Sequence, residues 1–187
     1  MKTRIIVICS LAAMLMAGCA KKNGAAGDAG ANAKADSMKT AYKAVSEAWD
    51  AGKVDAFDQY ITVNSVDHNA MPGQKPGLAG MKEFAAQMKA AYPDMKSTIE
   101  DMRADGDNLI VRFHMTGTNS GPMMGMPATG KKVNIMGIDW LKWENGKFTE
   151  HWGAMEEMKM MTQLGLMPPM GGGAPPPPPP PPAPAKK

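Results

Sequence analysis

Apolar and polar residues alternate with the period of a strand along three stretches in the second half of the chain. From Asn108 to Thr118, Leu109, Val111, Phe113 and Met115 fall on one side of an extended backbone, and Ile110, Arg112, His114 and Thr116 on the other. Val133 to Lys142 splits into Val133/Ile135/Gly137/Asp139/Leu141 and Asn134/Met136/Ile138/Trp140/Lys142. Ser97 to Arg103 alternates in the same way and joins the next stretch at Asp105-Gly106-Asp107. Earlier in the chain the spacing is helical. Met38, Tyr42, Val45 and Trp49 share one helix face behind a cap at Asp36 or Ser37, and Gly52 ends the run. Val54 to Tyr60 reads as a short helix, Ile61 to Asn69 as strand or loop, and Met71 to Gly77 as loop. Leu78 to Tyr92 buries Met81, Phe84, Ala85, Met88 and Ala91 and is closed by Pro93. A last helix covers about Glu156 to Leu164.

Helices first and four strands in succession afterwards point to an α+β domain, with helices packed on one face of a curved antiparallel sheet. That arrangement encloses a cavity. The domain runs from Asp36 to Met167, one ordinary domain in size.

The hairpin signal Trp143-Glu144-Asn145-Gly146-Lys147 decides which residues of the last two strands meet. A three-residue loop closed by Gly146 pairs Trp143 with Lys147 and sets Asp139 opposite His151, roughly 4.5 to 5.5 Å apart at Cβ. A two-residue Asn145-Gly146 turn instead pairs Asp139 with Trp152 and sends His151 to the other face. Turn chemistry favours the first. Asp139 and His151 are then the candidate catalytic pair, a carboxylate that raises the imidazole pKa and fixes its tautomer next to a carbonyl substrate. The bland alternative is a structural pair of buried polar groups.

Outside the domain, residues 1–18 read as a signal peptide: Lys2 and Arg4 form a basic start, and Ile5 to Ala17 an apolar run too short to span a bilayer. Its end, Met16-Ala17-Gly18-Cys19, resembles the lipobox of bacterial lipoproteins, which implies lipidation of Cys19 and a membrane anchor. Ala20 after the cysteine implies, by the same resemblance, the outer membrane facing the periplasm. With Cys9 discarded, Cys19 is the one mature cysteine, which excludes a disulfide. Residues 19–35 read as a flexible tether. Residues 168–187 read as a proline-rich tail, whose run Pro175 to Pro182 favours a polyproline II rod of about 25 Å at about 3.1 Å per residue.

The formal net charge is only +3, and nothing in it resembles a nucleic-acid face. Methionine is the compositional outlier, with 20 residues. Met123-Met124-Gly125-Met126 and the cluster from Met155 to Met161 suit either soft Cu(I) ligation or adaptable lining of an apolar pocket.

Several motifs recur together: Asp67-His68-Asn69, Pro72-Gly73-Gln74-Lys75-Pro76-Gly77, Pro93-Asp94, Gly117-Thr118, Gly125 to Lys131, Asn145-Gly146-Lys147, Glu150-His151-Trp152 and Gln163-Leu164-Gly165. In this order the chain resembles the SnoaL-like polyketide cyclase (ester cyclase) branch of the NTF2-like superfamily. The resemblance implies a cone-shaped α+β fold, a mostly antiparallel sheet wrapped by about three helices around an apolar pocket for a small hydrophobic ligand. Family cyclases close a ring by intramolecular aldol condensation with a pocket Asp and a nearby His, without metal or cofactor. Reading back from Gln163-Leu164-Gly165, those positions hold Gly153 and Asp139 here, so neither residue type is kept.

Four further residues are candidates for the pocket. Arg112 and His114 bind a carboxylate or enolate if their side of the strand faces inward; otherwise they sit on a solvated or dimeric face. Asp67 and His68 belong at the pocket mouth by the resemblance. Ile138, Trp140, Phe148 and Trp152 share the other face of the hairpin, and such an apolar sheet face implies a homodimer.

Overall fold

The computed structural model describes residues 24–123 and 125–168. The signal segment, Cys19 and the proline run lie outside the described residues.

Helix α1 spans Gly24–Ala51. It begins well before the cap expected at Asp36 or Ser37 and takes up most of the segment read as a tether. That segment is rich in alanine, the strongest helix former, so the helix continues backwards. Ser37 is no cap, since its Oγ donates to the Ala33 carbonyl inside the helix. A 3-10 turn, Val54–Gln59, leads into β1, Ile61–Asp67. Helix α2 is Gly77–Ala91, followed by β2 Lys96–Asp105, β3 Asn108–Thr118, β4 Lys132–Glu144, β5 Lys147–Met155 and α3 Glu157–Leu164. Among the described residues no helix is long and apolar enough to cross a membrane.

The strands form one curved sheet in the order β1-β5-β4-β3-β2, antiparallel throughout except for β1, which runs parallel to β5. The inner face carries Leu109, Val111 and Met115 of β3 with Val133, Ile135 and Leu141 of β4, all buried. Against it lie Met38, Ala41 and Tyr42 of α1 at one end. Met88, Ala91 and Tyr92 from the end of α2, with Leu164 of α3, pack at the other. The helices cover one face of the sheet, as the alternation implied.

The β4–β5 hairpin departs from the three-residue loop. Glu144 pairs with Lys147 across a two-residue turn in which Asn145 (φ 50°) and Gly146 (φ 82°) both take left-handed backbone. Asn-Gly suits that turn because its twist matches the strands. A bulge then absorbs Thr149, so the ladder passes from Trp143 with Phe148 to Lys142 with Glu150. Beyond it Asp139 faces Gly153, and His151 faces Leu141. The two-residue turn, before the bulge, sets Phe148 inward opposite Trp143, where it is buried and meets that ring edge-on at 4.8 Å. Phe148 therefore does not join the outer apolar face.

Candidate active site

The concave side of the sheet and the three helices enclose a cavity of about 520 Å³, lined mainly by apolar side chains. Nine of them are methionines, from Met71 before α2 to Met161 in α3. Gly137 contributes room: a Cβ there would lie 2.5 Å from Cζ of Phe113, so the ring rests on the bare backbone.

Polar groups converge at one wall. His151 Nε2 lies 3.2 Å from Oδ1 of Asp139, and Nδ1 lies 3.1 Å from Oδ1 of Asp67. Tyr42, on the inner face of α1, donates its hydroxyl to Oδ2 of Asp139 at 2.7 Å. Asp67 in turn accepts from the Asn69 backbone N–H at 3.0 Å and from Gln74 Nε2 at 3.3 Å. The Asn69 side chain accepts from Gly153 N at 2.6 Å and ties the loop after β1 to β5. Gly153 has a further role. A Cβ there would stand 3.1 Å from Cε1 and 3.3 Å from Nε2 of His151, so the imidazole occupies space that a side chain at 153 would claim.

Electrostatics fix the protonation. Burial alone would lower the His151 pKa, but hydrogen bonds and charge from Asp139 and Asp67 outweigh it and raise it from 6.5 to about 9. Burial opposes ionisation of Asp67 as well, yet its bonds from His151 and Asn69 hold it below the usual carboxylate range. Burial, then the Asp139 charge, pushes the Tyr42 hydroxyl up, so it stays protonated. At neutral pH the wall thus carries an imidazolium between carboxylates. Both ring nitrogens donate, which displaces the expectation of a neutral imidazole base and leaves the carboxylates as proton acceptors.

The sequence candidates separate into two groups. Asp139, His151 and Asp67 come together on the cavity wall. His68 does not: its side chain lies outside, stacked on Trp152 at 4.2 Å and bonded to Glu150 at 2.9 Å. Arg112 and His114 are corrected too, since Phe113 and Met115 take the inward side of β3. Outside, Arg112 and His114 grip the carboxylate of Glu100 at 2.9 and 3.2 Å. Tyr42, Asn69 and Gln74 also belong to the wall, though the sequence does not single them out as site residues. Tyr42 reads as one more apolar helix position, and only the fold brings it to Asp139.

The sequence profile of the SnoaL-like polyketide cyclases matches residues 39–164. The chain belongs to this family. It is similar to TsrD from Streptomyces laurentii, with a TM-score of 0.67 and 25% identity over 71% of this chain and 97% of that one. A candidate polyketide cyclase from Bacillus cereus aligns at 30% identity and a TM-score of 0.61, over 70% of this chain and 82% of that one. IdmH, a candidate polyketide cyclase from Streptomyces antibioticus, gives 25% identity and a TM-score of 0.61, over 68% and 98%. Among curated proteins none matches. In this SnoaL-like domain the NTF2-like cone is the frame, and the polar wall is built on its last two strands, β1 and α1.

Proposed function

We propose that this SnoaL-like domain binds a small hydrophobic carbonyl compound in the cavity and moves a proton next to the carbonyl, as a cofactor-independent cyclase or isomerase. The observation that carries the reading is the Asp139–His151–Asp67 row with Tyr42 on an otherwise apolar wall. In this reading Asp139 takes the proton from the carbon beside the carbonyl, and the electron pair moves onto the oxygen as an enolate. Once Asp139 is protonated its hold on Nε2–H of His151 weakens, and the imidazolium donates to the enolate oxygen. The enolate carbon then attacks a second carbonyl to close the ring, its alkoxide taking the proton back from Asp139, or, for an isomerase, Asp139 returns the proton at a conjugated carbon. His151 and Asp67 hold the Asp139 carboxylate in place.

Proton NMR of 2-tetralone and aryl β-keto esters in D2O tests this. The chain should speed exchange at the α carbon, and Asp139→Asn should slow it by about 10²-fold or more. No acceleration with any of these compounds would favour a second reading, binding without turnover. Gly153 at the position implied for the family aspartate, and an imidazole with both nitrogens engaged, support that second reading. The spread of methionines along the whole wall favours adaptable lining over a Cu(I) site.

The same proposal places the domain in the bacterial envelope, held by lipid on Cys19 at the outer membrane. The basic start, short apolar run and Met16-Ala17-Gly18-Cys19 support it. It also makes the domain a homodimer through the outer sheet face. There Ile138 and Trp140 are 40% and 44% exposed, and Trp140 stacks on Trp152 at 4.8 Å.

A further inference from the structure

The charges on the cavity wall do not balance. Asp67, Asp139, Glu150 and Glu157 line it against His151, and no lysine or arginine does among the described residues. Glu150 is matched by Lys142 Nζ at 3.0 Å and His68 Nε2 at 2.9 Å. Glu157 lies exposed in the first turn of α3. Inside, two carboxylates share one imidazolium whose ring nitrogens are both engaged, so one negative charge is left over among apolar side chains. Asp139 accepts one bond from His151 and one from Tyr42, while a carboxylate offers about four lone-pair sites.

A second observation points the same way. Ser65 precedes Asp67 by two residues, on the same face of β1, and both line the cavity. It is only 6% exposed, and its hydroxyl has no hydrogen-bond partner. A buried polar group left unpaired is costly, so such a hydroxyl calls for a partner. The rings of Trp49, Phe84 and Phe113 also line the cavity. Aromatic faces attract a cation through their quadrupoles.

We propose that the cavity selects a lipophilic cation: a compound with an ammonium group on an apolar body, its N–H groups donating to Asp139 and, once the Ser65 side chain rotates its buried oxygen toward the cavity, to that hydroxyl. A carboxylate in the same place would meet the surplus negative charge with no free cation to pair it, so anionic ligands are excluded. The inference rests on the reading of the cavity as the ligand site and adds the charge class of its occupant.

Three probes of nearly equal shape separate the alternatives: 1-naphthylmethylamine, 1-naphthylmethanol and 1-naphthoic acid, titrated calorimetrically at pH 7 into the full chain. A bond to a charged partner is worth enough for the amine to bind about tenfold more tightly than the alcohol, with the acid weakest. Asp139→Asn should remove the amine preference and leave the alcohol in place, and Ser65→Ala should reduce it in part. Equal binding of amine and alcohol, or tightest binding of the acid, overturns the proposal while the cavity remains a ligand site. No binding of any probe overturns both. The wild-type series is decisive even where a variant fails to fold.

Discussion

Asp139 and His151 are hydrogen-bonded at 3.2 Å although they are not opposite one another in the sheet. Asp139 faces Gly153, and His151 faces Leu141. The pair is diagonal on the inner face, and the imidazole lies over the bare α-carbon of Gly153 to reach the carboxylate. The contact therefore depends on three local features at once: the Asn145-Gly146 turn, the bulge at Thr149 and the missing side chain at 153.

The imidazole should titrate far above an ordinary histidine. Followed by NMR at Cε1–H, His151 is expected to change protonation at about 9. Asp67→Asn and Asp139→Asn should each lower that midpoint by about one unit or more, since each removes a neighbouring opposite charge. A midpoint near 6.5 in the wild type would show that the carboxylates do not hold the proton.

That shift is also a statement about stability. The folded-state pKa lies above the ordinary value of 6.5, so the folded protein binds the proton more tightly than the unfolded chain. The contribution, on the order of 3 kcal/mol, is fully present below about 6.5 and fades as the pH rises through about 9. Urea unfolding from pH 6 to 10 should show the loss, and His151→Gln should flatten that part of the profile.

Gly153→Ala should disturb the site more than an alanine on a strand ordinarily does. Its Cβ would stand 3.1 Å from the imidazole, which must tilt away from Asp139. Overpacking of this kind costs about 1 to 3 kcal/mol, read from the urea midpoint, and the His151 midpoint should fall with it. An unchanged titration would mean that the ring has other room.

Much of this was legible in the chain. The alternation in β3 carries its limits, Asn108 and Thr118, and the β4 pattern sets Asp139 in the mostly apolar row, which the structure turns inward. The two-residue turn departs from the three-residue loop that the sequence favours, yet Asp139 and His151 still share a face, because turn and bulge together shift the ladder by an even step. Phe148, between turn and bulge, moved with the turn alone and so changed sides. The direction of Arg112 and His114 was undecidable from alternation, which gives two rows without saying which is inner. Tyr42 shows the remaining limit. Its helical spacing marks it as buried, but a hydrogen bond to a residue 97 positions away is a property of packing.

Lipidation has a direct check. If Cys19 carries the proposed lipid, Cys19→Ser removes its acceptor. The variant is expected to leave the membrane fraction of bacterial cells for the soluble fraction, while the wild type stays with the membrane and partitions into detergent. Equal distribution of the two would remove the anchor from the proposal.

The outer face of the sheet yields the last test. Trp152 is sandwiched between His68 at 4.2 Å and Trp140 at 4.8 Å, with Ile138 and Ile110 exposed on the same side. Trp140 is anchored by its Nε1 donating to Asn108 Oδ1 at 2.9 Å, so the row is held rigid while its apolar surface stays open to solvent. A rigid aromatic row loses little conformational freedom when covered, which suits it to bury against a second copy. Light scattering at micromolar concentration should give the mass of a dimer, and Ile138→Glu should give a monomer by placing unpaired charge in the contact. The cavity opens on the opposite side of the sheet, so naphthyl probe binding should survive in that variant. A monomeric wild type would assign the row to some other partner.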